Sequence, residues 1–140
     1  MDTAEELIQG ARLVIGNIGF WPSFHDAEVI SFSVSRPLHY ANSDTVAKLC
    51  IHYREHEVLG AGKADFEYGC RKSLLIELIF NGLQDLSLKD FNQQSVLDSI
   101  KFNRLQDSSI VAELVSIWGF GGAIRCTTVA VGEFTNLLDQ

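Results

Sequence analysis

Past Pro22 the hydrophobic period of this chain switches from helical to alternating and stays alternating almost to the end. Ile30, Phe32 and Val34 alternate with Ser31, Ser33 and Ser35. Leu49, Ile51 and Tyr53 then alternate with Lys48, His52, Arg54 and His56. Side chains on a strand point to opposite faces in turn, so this pattern describes half-buried strands. Leu74 to Phe80 is apolar except for Glu77 and reads as a central strand. Phe66 and Tyr68 sit in a weaker strand, and Leu83, Leu86 and Leu88 form the return strand after Asn81-Gly82. Three more are expected around Ile100 and Phe102, from Ile110 to Trp118, and from Ile124 to Phe134. Asn81-Gly82 is the strongest hairpin signal, because both central residues of a type I′ turn need positive φ. Gly60-Ala61-Gly62 and Gly119-Phe120-Gly121-Gly122 read as further turns.

Before Pro22 the period is helical. Ala4, Leu7, Ile8, Ala11, Val14, Ile15 and Ile18 form one apolar face, and Thr3 with Glu6 fits a capping box. Gly16 and Gly19 weaken the far end, and Trp21-Pro22-Ser23 closes it. The expected fold is α+β and β-rich. An N-terminal helix over about 3–18 packs on a mainly antiparallel sheet, or a sandwich or half-barrel, of about seven strands between residues 27 and 134. The spacing lacks βαβ units, which argues against a parallel nucleotide-binding sheet. At 140 residues the whole chain, 1–140, is expected to be one domain.

Charge narrows the function classes. The formal net charge is −7, from 18 acidic and 11 basic residues. A generic nucleic-acid binder needs the opposite balance, so no nucleic-acid partner is expected. Apolar runs stop at about five residues, far short of a membrane helix, and the acidic start Met1-Asp2-Thr3-Ala4-Glu5-Glu6 lacks the pattern of a secretory signal. Cys50, Cys70 and Cys126 are odd in number and far apart, so they read as small apolar fillers in a reducing cytoplasm.

Four constellations could carry chemistry. In Ser23-Phe24-His25-Asp26-Ala27-Glu28, three ionisable groups fall within four residues. They could bind a metal or move protons. Strand alternation would however turn His25 away from Asp26 and Glu28, and the plainer account is a turn that launches a strand. His52, Arg54 and His56 share a strand face, but Arg54 disfavours a cation there. The Trp118–Gly122 glycine run lacks the helix that a phosphate cradle needs and reads as a hairpin turn. Asp85 to Gln94 is polar around Phe91: either a recognition surface, or Asn92 and Gln94 satisfying backbone groups. A nucleophile elbow is missing from the sequence, and no catalytic residue, metal or cofactor is expected.

Three stretches together carry a resemblance: Trp21 to Val29, Phe80-Asn81-Gly82-Leu83-Gln84-Asp85 on to Leu97, and Trp118 to Cys126. In order and spacing they are similar to the bacterial immunity protein 50 family, whose members are assigned as antidotes in polymorphic toxin systems. The similarity runs from about Trp21 to Val131 and departs from the family pattern between Lys48 and Arg71. It implies a cytoplasmic inhibitor, not an enzyme, that binds a cognate toxin domain. Nuclease toxins fit an acidic inhibitor, since they are commonly basic where they hold nucleic acid. Monomer and homodimer both remain open, as an exposed strand edge supports either. The expected contact residues are His25, Asp26, Glu28, Asp85, Asp90 and Asn92. Two other classes stay in play: a barrel enclosing a small ligand, and a metal-dependent enzyme built on His25, Asp26 and Glu28.

Overall fold

A computed structural model describes residues 2–38, 45–59 and 67–139. The helical start divides in two: α1 (Ala4–Leu7) and α2 (Ala11–Ile18), separated by the short strand β1 (Ile8–Gln9). Gly10 causes the break, since its φ of 79° is left-handed and open to glycine at little cost. The apolar face survives it, because Leu7, Ile8, Ala11, Val14 and Ile18 are all buried. Thr3 accepts the Glu6 N–H as an N-cap should. Its hydroxyl then donates to the Glu6 carboxylate (3.2 Å), where a full capping box has that carboxylate return to the Thr3 N–H. Gly19, with φ 104°, ends α2 before Pro22 is reached, and its N–H closes on the Ile15 carbonyl at 2.7 Å.

Among the described residues there are nine strands in one open mixed sheet. The others are β2 (Glu28–Ser35), β3 (Val46–Leu59), β4 (Glu67–Asn81), β5 (Asp85–Lys89), β6 (Val96–Arg104), β7 (Ile110–Trp118), β8 (Gly121–Cys126) and β9 (Thr128–Asn136). Their order is β1-β9-β4-β3-β2-β6-β7-β8-β5. Only the pairing of β1 with β9 is parallel. The expected strand through Tyr68 and the one at 74–80 are one strand, β4, while 124–134 is two, broken at Thr127. The glycine turn at 60–62 and Phe66 lie outside the described residues.

Asn81-Gly82 is not a hairpin. Only Gly82 of the two takes a positive φ (64°), and β5 does not fold back on β4. The reason is occupancy: β3 fills one edge of β4 and β9 fills the other. The chain runs on instead. Asn81 stands opposite Thr128, and Asp85 opposite Arg125. The ribbon β4–β9 therefore continues as the ribbon β5–β8, although the two lie far apart in the strand order. The sheet must curl to allow this, and its two halves share one core. Leu49, Ile51, Leu74, Ile76, Leu78 and Phe80 meet Leu97, Ile100, Ala112, Leu114 and Ile124 inside it, all buried. Each of the leucine, isoleucine and phenylalanine side chains among them contributes roughly 1.5–3 kcal/mol by leaving water. Helix α2 lies against β9.

Two residues that interrupt the pattern have local explanations. Glu77, on the outer face of β4, accepts the Glu133 N–H at 3.2 Å where the β4–β9 register shifts. Gly122 has φ 136°, and a Cβ there would lie 1.9 Å from the Ser87 carbonyl oxygen, so the β5–β8 approach requires glycine.

Candidate partner-binding face

The segment Ser23 to Ala27 is a turn and not a strand, so the alternation expected to separate His25 from Asp26 does not operate. Phe24 and Asp26 both have left-handed φ (67° and 64°). The turn is held to β6 by main-chain bonds: Asp26 N–H to Leu97 O (2.9 Å), Leu97 N–H to Ala27 O (2.8 Å) and Ile100 N–H to Ser23 O (3.0 Å). The His25 ring lies between two carboxylates, 3.5 Å from Asp26 and 3.3 Å from Asp98. Beneath the turn, the fully buried Phe24 ring meets Trp21 and Tyr53 edge-on at 5.7 and 6.5 Å. Trp21 in turn meets Phe102 at 6.2 Å.

Where β2 begins, a row of direct partners crosses the outer face of the sheet: Leu75, His52, Glu28, Val96 and Trp118. Glu28 is ion-paired with Arg54 at 3.0 Å. His52 Nε2 shares a hydrogen bond with the Ser73 hydroxyl at 2.8 Å. Burial, and then the Arg54 charge, lower the His52 pKa against the opposing pull of Glu28. The folded pKa thus lies below the free value, so protons bind the unfolded chain better. The contribution of neutral His52 is complete above pH 6.5, its ordinary value, and falls away as pH drops below it. His52→Gln should flatten the pH dependence of stability between neutrality and mild acid, measured by urea titration at several pH values. An unchanged slope would show that another group sets it.

A groove of about 420 Å³ opens beside this row, lined by Glu28, Val29, Ile30 and residues 91–96. β-Bulges shape its surroundings. One places Ile30 outside the β2–β3 register, and others place Ile117 and Asp98 outside the β6–β7 register. A bulge re-aims the side chain it carries. Ile30, expected to face inward with Phe32 and Val34, is accordingly 48% exposed; Val34 is also exposed, and Phe32 alone of the three packs against the core. Phe91 is 50% and Trp118 62% exposed, and the Phe91 ring stands on buried Phe120 (5.2 Å), which touches Phe32 (5.4 Å).

Of the expected contact residues, His25, Asp26, Glu28 and Asn92 come together around this groove and the adjoining turn. Asn92 also has a structural task, since its side-chain oxygen accepts the Gln94 N–H at 2.9 Å. Buried Ser95 completes the loop, donating to Asn92 O at 3.2 Å. Asp90 is exposed where β5 gives way to this loop. Asp85 is apart, at the far end of β5. Ile30, Asp98, Ile117 and Trp118 were missed by sequence reasoning, and the bulges that expose the first three leave no residue-type signal. His56 is exposed on its strand, and among the described residues no three His, Cys, Asp or Glu side chains are grouped to hold a metal ion.

Elsewhere, Cys126 is a buried filler whose thiol is pushed up to about 11 by desolvation, and half-buried Cys50 is raised by burial and by Glu77 and Glu133. Asp107 at the β6–β7 turn is lowered to about 2 by the Ser109 hydroxyl and N–H, with Arg125 adding to it. Among the described residues no helix is long and apolar enough to cross a membrane.

No curated protein and no solved structure matches the chain. Residues 11–136 do match the family model of immunity protein 50, which covers α2, the bulged face and all the strands from β2 to β9. The chain belongs to the immunity protein 50 family.

Proposed function

We propose that this chain neutralises a cognate toxin domain by covering it, without catalysis, in the cytoplasm of the cell it protects. Membership of the immunity protein 50 family across residues 11–136 is the observation that carries this. The geometry adds a face. Ile30, Phe91 and Trp118 offer apolar area beside a groove, and Asp26, Glu28, Asp90 and Asp98 set carboxylates around it. Aromatic anchors within a polar rim are what a tight protein interface uses. With a net charge of −7, the carboxylates favour a toxin that presents a basic surface, such as a nuclease, and speed its capture at low salt.

Co-expression with the toxin domain encoded beside it is the test. Cells should survive, and the two proteins should purify as a complex whose association slows as salt rises. Continued killing by that toxin, with the folded protein abundant in the cell, refutes the proposal.

A further inference from the structure

We propose that two copies of this chain pair through β5, antiparallel and centred on Ser87, joining two sheets into one. β5 ends the strand order and is bonded to β8 alone among the described residues. Its outer edge thus presents main-chain donors and acceptors in search of a strand. The opposite end of the sheet is the two-residue β1, too short to template a partner.

The sequence of the edge names its occupant. β5 reads Asp85-Leu86-Ser87-Leu88-Lys89. Turned end for end about Ser87, it sets each Asp85 opposite Lys89 of the second copy, and each Leu86 opposite Leu88. Two opposite-charge pairs and two apolar pairs result, each favourable across an antiparallel ladder. A sheet edge protected against its own copies carries like charges in this register, and β5 carries the reverse. Within one chain the two charges cannot meet, because four strand residues span about 13 Å. Both side chains are exposed, and among the described residues neither has an ion pair. Arg125, directly across from Asp85, is bound to Asp107 instead. Leu86 and Leu88 are half-buried against the core, which fixes the face that the edge offers.

A charge-swap series followed by sedimentation equilibrium tests this. The wild-type mass should climb toward twice the chain mass with concentration. Asp85→Lys and Lys89→Asp each put like charges in register and should weaken self-association at least about tenfold. An equimolar mixture of the two variants restores opposite charges and should form a heterodimer, and the double variant should self-associate again. Those two rescues separate pairing from misfolding. A wild-type chain that stays monomeric overturns the proposal, as do single swaps that leave association unchanged. Loss of toxin binding by the single swaps in a monomeric protein would also overturn it, assigning the edge to a toxin strand.

Discussion

Phe24→Ala is expected to cost about 3–5 kcal/mol of folding stability, the range for emptying a fully buried phenylalanine site. Phe24 has no exposed surface and holds the rings of Trp21 and Tyr53 edge-on, so its loss leaves a void that neither β6 nor β3 can close. The same residue has φ 67°, a conformation that costs any residue with a Cβ roughly 1–2 kcal/mol. Alanine keeps that cost and glycine relieves it. Phe24→Gly should therefore be less destabilising than Phe24→Ala by about 1 kcal/mol, against the usual order for the two residues. Urea denaturation of the three proteins measures both quantities. A loss below about 1 kcal/mol for Phe24→Ala would mean that the ring does not anchor the turn, and a glycine variant weaker than the alanine one would mean that the left-handed φ carries no cost there.

The same turn shows how much of the molecule its sequence makes legible. Period sets the elements: Leu49, Ile51 and Tyr53 face inward and Lys48, Arg54 and His56 face outward, as alternation requires. The buried face of the helical start is equally plain, because Leu7, Ala11, Val14 and Ile18 keep their spacing even with Gly10 breaking the helix. Pairing is harder, since it depends on which edges are vacant. Asn81-Gly82 has the chemistry of a hairpin, yet β4 is already bonded on both sides, and the return strand finds β8. The face is hardest. Its ionisable members, His25, Asp26 and Glu28, announce themselves by clustering, whereas Ile30 and Ile117 look like core residues until a bulge turns them to solvent. Asp98 joins the His25 turn from 73 residues away, a meeting that local spacing does not encode.

Trp118→Ala is expected to weaken toxin binding by about 2 kcal/mol or more, roughly thirtyfold in Kd, while leaving folding stability within about 0.5 kcal/mol. The two halves of that expectation have one cause. Trp118 is 62% exposed, so the free protein gains little from its ring, and a partner that covers it gains most of the ring's transfer energy. Phe91→Ala should act in the same direction, because Phe91 stands on Phe120 and is presented at little cost in side-chain freedom. Leu13→Ala is the control: Leu13 is comparably exposed, at 46%, but lies on α2, which packs on β9 at the other end of the sheet. The effect should fall on dissociation, since rings at the centre of a patch hold a formed complex while the surrounding carboxylates steer its formation. Surface plasmon resonance against the toxin domain separates the two rates. If wild-type protein binds and protects while Trp118→Ala and Phe91→Ala dissociate no faster than it does, the toxin docks elsewhere and the family role stands without this face.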